Sequence, residues 1–405
     1  MTEDVRLSPT AMVAGGTALA RDDTGRVVFI DGALPAEVVL VRLTESRGDF
    51  ARATAVTVLE PSPDRVAAPC PALAAGCGGC TWQHIALEAQ RRLKAGIVLD
   101  ALRRIGHFAE PPAPVVVPLS AMALRTTGRL AVSPTGRAGY RPRRGPEQAV
   151  ETDSCLAAHP LLEELITAGR YPGATEVLLR VGVASGERLA RTSPRQSATA
   201  VQVPPGVIVV AGDEPAAVHE AVAGRRFRIS VDSFFQPGPD AAAALVGAVI
   251  DAVGDGLGRG GHLVDAYAGV GLFASVVGTA FAAGVTAIES NRCAVADARV
   301  NLSDVDARIV VSDVARWRPK RRDGRIDVVI ADPPRTGLGR PGVAAVVAAR
   351  APRVVLVSCD PASLGRDAAL LREAGYNLES VALVDSFPHT FHVETVSRFD
   401  KENGS

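Results

Sequence analysis

The sequence contains no apolar run of 18 or more residues, and no apolar stretch follows a basic start at its N-terminus. A membrane-spanning helix needs about 20 apolar residues, and a secretory signal needs an apolar core behind a basic segment. We therefore expect no membrane partner and a cytoplasmic location. With 405 residues, 47% of them hydrophobic and 22% charged, the chain is long enough for two or three globular domains.

Lysine is scarce and the formal net charge is zero, so the bulk composition gives no sign of a polyanionic partner. The arginines, however, are unevenly distributed. Between residues 121 and 145 there are no acids, and Tyr140 is accompanied by Arg125, Arg129, Arg137, Arg141, Arg143 and Arg144. Arginines placed around an aromatic ring can contact phosphates and stack on bases, although a solvated face would have the same composition.

The first 60 residues contain short apolar segments separated by turn residues, at 11–16, 27–32, 38–41 and 53–58. Strands of this length and spacing predict a small β-barrel, a fold that often binds oligonucleotides. Residues 61–235 have a mixed pattern, with a helix predicted at 87–105 and a strand over 176–181. We interpret this segment as a central α+β domain.

Beyond residue 235, apolar strands alternate with glycine-containing turns and helices. The strands are predicted at 263–265, 285–288, 326–330 and 354–357, which indicates an α/β fold with a doubly wound parallel sheet over residues 236–405. Reacting groups collect just beyond the carboxyl ends of such strands. Cys359 follows the last strand directly and is a candidate nucleophile, with a buried packing thiol as the alternative.

A cofactor turn is predicted at Gly269-Val270-Gly271, which follows one strand and opens a helix. The next strand ends in Glu289, where an acid can accept hydrogen bonds from ribose hydroxyls. The third glycine of a dinucleotide fingerprint is lacking, so a pyrophosphate has no evident cradle. The pattern favours S-adenosylmethionine over NAD. In Asp332-Pro333-Pro334-Arg335, two prolines fix the backbone beside an acid at another strand end.

Taken together, five stretches resemble the RumA/TrmA family of RNA (uracil-5-)-methyltransferases in order and spacing, and the resemblance covers nearly the whole chain. They are Phe234-Phe235-Gln236-Pro237, Asp265-Ala266-Tyr267-Ala268-Gly269-Val270-Gly271-Leu272-Phe273, Asp332-Pro333-Pro334-Arg335, Ser358-Cys359-Asp360-Pro361 and Phe387-Pro388-His389-Thr390-Phe391-His392-Val393-Glu394. The resemblance implies a Rossmann-like class I methyltransferase domain behind an N-terminal TRAM (OB-like) barrel.

The resemblance also implies roles for individual residues. Cys359 would add to C6 of uracil, and Glu394 would remove the C5 proton after methyl transfer. The residues alone do not single out Glu394 from its neighbours. Contacts to S-adenosylmethionine would come from Gln236, Tyr267, Gly269, Glu289, Asp313 and Asp332. His389 and His392 belong to the matching motif, but no catalytic role is expected for them.

Three further cysteines form a C-x6-C-x2-C motif, namely Cys70, Cys77 and Cys80. A fourth, Cys155, lies further along the chain. In a cytoplasmic protein this pattern indicates metal binding, and four thiolates suit either zinc or an iron-sulfur cluster. Similarity to the RumA branch implies a 4Fe-4S cluster with a structural and RNA-positioning role. Cys293 remains, and we expect it to pack a helix.

We therefore expect an RNA 5-methyluridine methyltransferase of three parts, residues 1–60, 61–235 and 236–405. The cysteine set and the barrel favour 23S ribosomal RNA over transfer RNA as the substrate. A non-catalytic RNA-binding or assembly protein and a methyltransferase for a small molecule are the alternatives. No obligate protein partner is evident from the sequence.

Overall fold

The computed structural model describes residues 4–143, 148–212, 215–320 and 324–402. Its N-terminal part is a curled, barrel-like sheet with the strand order β1-β5-β6-β4-β3-β2. The core of this sheet includes Ile30 and Val39 and is closed by Trp82 and Ile85 from the chain that follows it. The strands are β1 (Val5–Leu7), β2 (Ala11–Met12), β3 (Ala18–Arg21), β4 (Val27–Asp31), β5 (Val38–Ser46) and β6 (Phe50–Glu60).

The middle of the chain contains a second sheet, of order β12-β11-β10-β8-β9, and a hairpin of β13 with β14. The elements are α1 (Pro71–Ala74), α2 (Leu87–Arg104), β7 (Val115–Val117), β8 (Thr127–Val132), β9 (Ala138–Gly139), α3 (Pro160–Thr167), β10 (Glu176–Val181), β11 (Arg188–Ser193), β12 (Val207–Val210), β13 (Ala217–Val222) and β14 (Arg225–Ser230). Helix α3 packs on β10.

The C-terminal part is built on a sheet with the order β17-β16-β15-β18-β19-β21-β20-β7. The elements are α4 (Pro239–Val253), β15 (His262–Ala266), α5 (Leu272–Phe281), β16 (Gly284–Glu289), α6 (Arg292–Asn301), β17 (Ala307–Val311), β18 (Val328–Ala331), α7 (Gly339–Ala348), β19 (Arg353–Ser358), α8 (Pro361–Glu373), β20 (Tyr376–Val384) and β21 (Thr395–Lys401). Strands β15 to β19 pair in parallel, whereas β21 is antiparallel to both β19 and β20.

Helices cover both faces of this sheet, which explains the continuous apolar run of β19. Val355 and Val357 belong to the core cluster that includes residues of α4 and α5, whereas Val354 and Leu356 belong to the one that includes residues of α7 and α8. Alternate side chains of a strand point to opposite faces, so a strand buried on both sides is apolar at every position. Cys359 lies where this buried run ends.

The fold predicted from the sequence is confirmed: an α/β sheet follows a mixed region and a barrel-like N-terminal sheet. The predicted helix at 87–105 is α2, and the predicted strand at 176–181 is β10. The boundaries at residues 60 and 235 stay predictions. Helix α2 packs against α8, and β7 pairs with β20, so both elements add to the C-terminal layer. Among the described helices, none is both long and apolar enough to cross a membrane.

Candidate active site

Three parallel strands of the central sheet end side by side. Ala266 of β15 is paired with Ala331 of β18, and Ala331 with Leu356 of β19. The residue after β18 is Asp332, whose backbone N–H donates to the carbonyl of Ala266 over 3.2 Å. This local bond continues the sheet by one residue and holds Asp332 at the edge to which Cys359 also belongs.

The antiparallel pairing of β19 with β21 brings Glu394 to the same edge. Ser358 is paired with Thr395, and the Thr395 hydroxyl donates to the Ser358 carbonyl over 3.0 Å. Cys359 comes directly after this pair on one strand, and Glu394 directly before it on the other. The two positions therefore face each other across the end of the ladder, although they are far apart in sequence.

The three groups influence one another's ionisation. Glu394 is 5% exposed, and burial, followed by the charge of Asp332, raises the pKa of its carboxyl well above the ordinary value. Burial raises the pKa of Asp332 to about 7. Burial and the nearby Glu394 and Asp332 raise the pKa of the Cys359 thiol to about 11. Burial disfavours the charged form of each group, so near pH 7 the Cys359 thiol is neutral.

Arg335 is the positive group that acts on this cluster. Its Nε lies 3.7 Å from Oδ2 of Asp360, and its charge lowers the pKa of Cys359 against the larger effects that raise it. The side chain of Arg335 is 61% exposed, so its charge is screened by solvent. Arg335 follows Asp332 by three residues in the sequence, but only the fold shows that its charge lowers the pKa of the Cys359 thiol.

The turn after β15 has the shape expected of a cofactor loop. Tyr267 and Gly269 have φ values of +66° and +56°, and a Cβ added at Gly269 would meet nothing within 4 Å. The backbone N–H of Gly269 donates to Oε2 of Glu289 over 2.9 Å, while the backbone N–H groups of Ser290 and Asn291 donate to Oε1. Glu289 at the end of β16 is thus fixed beside an open stretch of backbone.

The remaining predicted cofactor residues lie around this turn or near it. Burial raises the pKa of the Tyr267 hydroxyl to about 12, which keeps it a hydrogen-bond donor. Gln236 is 6% exposed, in the segment that leads to α4. Asp313 is exposed after β17, and its side chain accepts from the backbone N–H of Ala315 over 2.8 Å.

Asp265, at the end of β15, was not singled out from the sequence. It is fully buried, and its Oδ2 accepts from the backbone N–H of Ala274 over 2.7 Å. Its Oδ1 is buried with no hydrogen-bond partner. Burial, together with the charges of Asp332 and Glu289, raises the pKa of Asp265 to about 8. This unpartnered oxygen and the open turn beside it are the features that fit an adenosine-containing ligand.

The four cysteines of the predicted metal site border one cleft. Cys70, Cys77, Cys80 and Cys155 line it together with Tyr140 and Gln83. All four are free thiols. Gly78 and Gly79 allow the cysteine loop to pack tightly, since a Cβ on Gly78 would lie 2.6 Å from the Arg141 carbonyl oxygen. The fold therefore gathers residues that are distant in sequence.

The cleft is only partly arranged as a metal site. In residues 4–143, 148–212, 215–320 and 324–402, no three His, Cys, Asp or Glu side chains form a group that could hold a metal ion. Burial raises the pKa of Cys155 to about 11 and also raises that of Cys77. Hydrogen bonds from the backbone of Gly79 to Cys77, and of Ala157 and Ala158 to Cys155, favour the thiolate forms that bind metals.

The arginines between residues 121 and 145 do not form a continuous free surface. Arg125 donates to the Gly79 carbonyl and lies over the Tyr140 ring. The other described members are ion-paired: Arg129 and Arg141 with Glu176, Arg137 with Glu151 and Asp153, and Arg143 with Asp31. Arg144 lies outside the described residues. The segment thus also stabilises the chain around the cysteine cleft, a role that composition does not reveal.

The structure also describes the surroundings of Cys293 and of the two histidines in the motif before Glu394. The prediction that Cys293 packs a helix is wrong: it is exposed in the first turn of α6, where its backbone N–H donates to the Asn291 side chain over 2.9 Å. His389 is held structurally, with its backbone N–H and its ring both bonded to Gln90. Burial, followed by the charges of Arg335 and Arg125, lowers the pKa of His392 to about 4.

Known proteins resemble the chain over nearly its full length. Residues 320–401 match the family model described as tRNA (Uracil-5-)-methyltransferase, and residues 2–56 match the TRAM domain. An uncharacterised RNA methyltransferase of Streptomyces coelicolor is 35% identical, over 97% of this chain and 92% of its own length. One of Corynebacterium efficiens is 33% identical, over 99% of this chain and 96% of its own length.

A solved structure shares the fold. The tRNA (uracil-54, C5)-methyltransferase of Pyrococcus abyssi, in complex with S-adenosyl-L-homocysteine, superposes with a TM-score of 0.72 at 22% identity. The similarity covers 97% of this chain and 99% of that one. At this level of identity, the likeness shows the fold alone, for the part of the chain that it covers.

The raised pKa of Cys359 predicts slow alkylation at neutral pH. With a pKa of about 11 instead of 9.0, the reactive thiolate is roughly a hundredfold scarcer. The rate of iodoacetamide labelling at Cys359, followed by peptide mass spectrometry, should still rise between pH 9 and pH 10. Exposed Cys293 provides an accessibility reference in the same sample. A Cys359 rate that levels off below pH 9 would contradict the electrostatics described above.

Proposed function

This chain belongs to the S-adenosylmethionine-dependent RNA (uracil-5-)-methyltransferase family, and we propose that it converts a uridine in RNA to 5-methyluridine with Cys359 and Glu394. The observation that carries the proposal is the facing of these two residues across the end of the β19–β21 ladder. A thiol and a carboxyl at one edge can act on adjacent carbons of one ring, which is what this reaction requires.

The proposed sequence of bonds starts with the thiolate of Cys359. It adds to C6 of uracil, and the ring becomes an enolate with electron density at C5. When bound, S-adenosylmethionine supplies the electrophilic methyl group that C5 takes up. Glu394 then accepts the C5 proton, the C6–S bond breaks, and the electron pair of that bond returns to sulfur as the Cys359 thiolate.

The raised pKa values bear on this chemistry. A carboxyl with a raised pKa is a stronger base once it is ionised, so burial of Glu394 suits proton removal from carbon. The same burial holds Cys359 as a thiol until positive charge enters the site. The charge of Arg335 favours the Cys359 thiolate, and the cationic sulfonium group of a bound cofactor would favour it further. Attack is therefore coupled to assembly of the complete site.

The remaining residues of the edge would hold the cofactor. Glu289 has the position to accept hydrogen bonds from ribose hydroxyls, and Gly269 leaves room beside its backbone. Tyr267, Gln236 and Asp332 would line the rest of the site, with Asp313 at the adenine end. Asp332 also stands next to Glu394, where it can orient the uracil ring.

RNA is the proposed partner because a TRAM barrel precedes the catalytic sheet. The target uridine would lie in a single-stranded loop and be flipped out of the stack, since a stacked base does not expose its face to a thiolate. We favour 23S ribosomal RNA as the substrate, with transfer RNA as the alternative, and the cytoplasm as the place of reaction. Domains at 1–60 and 61–235 would bind the RNA, and 236–405 would catalyse.

We also propose that Cys70, Cys77, Cys80 and Cys155 hold a 4Fe-4S cluster. Their common cleft and the backbone hydrogen bonds toward Cys77 and Cys155 support a tetrathiolate site. Binding would draw the four sulfurs together, and the cluster would stiffen the loop against which Tyr140 and Arg125 pack. Its role would be structural, with no redox step in methyl transfer.

Replacing Glu394 with Gln should trap a covalent complex. The amide cannot accept the C5 proton, so the methylated uracil stays bonded to Cys359. Denaturing gels with labelled cellular RNA should show an adduct in Glu394→Gln and none when Cys359→Ser is added, while exposed Glu379→Gln should behave like the wild type. Mass spectrometry of wild-type products should find 5-methyluridine in ribosomal RNA; its appearance in transfer RNA would favour the alternative. An adduct absent from Glu394→Gln would remove its role as the base.

Anaerobically purified protein should be brown. Thiolate-to-iron charge transfer gives broad absorption near roughly 400 nm, and Cys155→Ser should weaken it because one ligand is lost. Cys293→Ser should leave the spectrum and iron content unchanged. A colourless protein with stoichiometric zinc would refute the cluster.

A further inference from the structure

The loop that leads to Glu394 has no regular secondary structure of its own. It joins β20 to β21 through residues 385–394, called here the base loop, and contains His389 at a φ of +62°. The left-handed region is unfavourable for a residue with a side chain, so the conformation has to be maintained from outside. Contacts made by α2 and by the N-terminal sheet supply that support.

Lys94 of α2 is the central contact. Its side chain is fully buried, and Nζ donates to Oδ1 of Asp385 over 2.7 Å and to the carbonyl of Phe387 over 2.8 Å. Asp385 is 1% exposed, and its Oδ2 accepts from Nε of Arg91 over 3.0 Å. A buried ammonium group paired with a carboxylate fixes geometry closely, because any displacement exposes one charge to an apolar interior.

Gln90, one turn before Lys94 on α2, holds the middle of the base loop. Its Oε1 accepts from the backbone N–H of His389 over 2.7 Å, and its Nε2 lies 3.2 Å from Nδ1 of the same histidine. Nε2 also donates to the carbonyl of Ile85 over 2.8 Å. One amide side chain therefore fixes the residue with the unusual backbone conformation.

The N-terminal sheet closes the loop from the other side. The backbone N–H of Trp82 donates to the His389 carbonyl over 2.8 Å, and its indole Nε1 donates to the Gly16 carbonyl over 3.1 Å. A Cβ added at Gly16 would lie 2.6 Å from Cδ1 of Phe391. Only glycine permits this close approach to Phe391. The N-terminal part of the chain and α2 therefore both contact the base loop.

We propose that Lys94 is a positioning residue for Glu394: by holding Asp385 and Phe387 from α2, it sets the base loop so that the carboxyl reaches the C5 proton. The inference rests on the proposed function above. Lys94 bonds only to Asp385 and Phe387 in the contacts described, so it acts through the loop. Cys359 follows β19, whose neighbours in the sheet are β18 and β21, and neither of the two bonds described for Lys94 reaches that strand.

This separation predicts a specific kinetic effect. Loss of Lys94 disturbs the loop that carries the base but leaves the strand that carries the nucleophile. Displacement of a reacting group by about 1 Å can slow a step roughly a hundredfold. Release of the methylated RNA, which needs Glu394, should therefore slow far more than formation of the covalent adduct, which needs Cys359.

The test compares full-length Lys94→Met with Arg353→Met under single-turnover conditions. Arg353 is a matched control because it is 8% exposed, pairs with Asp400 and Asp255, and donates to the Val253 carbonyl at the opposite end of β19. Both changes remove a charged, largely buried side chain that bonds carboxylates and a carbonyl. Lys94→Met should form adduct within about threefold of the wild-type rate, release product at least about tenfold more slowly, and accumulate adduct. Arg353→Met should accumulate none.

Two further measurements keep the outcome clear if Lys94→Met folds poorly. Gln90→Met removes the second contact that α2 makes with the base loop and should shift the balance of the two steps in the same direction. Hydrogen exchange of the amides in residues 385–394 should accelerate at least about tenfold in both α2 variants and not in Arg353→Met. This second readout does not depend on activity.

Unchanged exchange in the base loop, or a proportional fall of both kinetic steps, would overturn the positioning role. Failure of the proposed function would look different, since wild-type protein would then form no 5-methyluridine. Lys94→Arg retains the charge and should restore part of the release rate. A Lys94→Arg release rate no better than that of Lys94→Met would also count against the inference.

Discussion

The antiparallel pairing of β21 with β19 is the interaction on which the site depends. In a parallel sheet, residues at or just beyond the carboxyl ends of the strands reach this edge. Asp332 and Cys359 follow β18 and β19, and Asp265 lies near the end of β15. An antiparallel strand brings to that edge the residue that precedes it, and this residue is Glu394. The nucleophile thus follows one strand and the base precedes the neighbouring antiparallel strand, so both can reach the same ring. The pairing of Ser358 with Thr395 ends the ladder and thereby fixes the positions of Cys359 after β19 and of Glu394 before β21.

Burial governs the electrostatics at this edge. Asp265, Asp332, Glu394 and Cys359 all have raised pKa values, because the sheet and its helices remove water from around them. Burial disfavours negative charge on these acids and on the thiol, so a positive charge bound among them would favour their ionised forms. A sulfonium cofactor matches that property. The exposed Arg335 provides only a screened positive charge, which suits a site completed by its ligands.

Much of the fold and part of the site could be predicted from local sequence signals. Cys359, Asp332 and Glu289 each end an apolar strand, and the carboxyl-edge rule of parallel sheets brings such residues together without further information. Glu394 could not be found in this way, because it precedes its strand and only the antiparallel register brings it to Cys359. Family resemblance supplied it instead. The four cysteines share one cleft, but their role as metal ligands stays a prediction, and their spacing does not distinguish zinc from an iron-sulfur cluster.

The missed features depend on tertiary contacts. Lys94 lies in a helix whose pattern gives no sign that an ammonium group is buried, and its partner Asp385 is almost three hundred residues away. The arginines around Tyr140 look like an RNA surface by composition, yet acids elsewhere in the chain pair with most of the described ones. Cys293 looks like a packing residue until the helix orientation is known. For Lys94, the deciding partner is distant in sequence.

The role of Cys359 as the nucleophile is tested most directly by incubating the protein with S-adenosylmethionine and RNA containing 5-fluorouridine. Fluorine at C5 cannot be removed as a proton, so the reaction should stop after methyl transfer with the base bonded to sulfur. Peptide mass spectrometry should then find Cys359 carrying a fluorinated, methylated uridine. Methylation of this RNA without an adduct, or an adduct on another cysteine, would contradict the assignment.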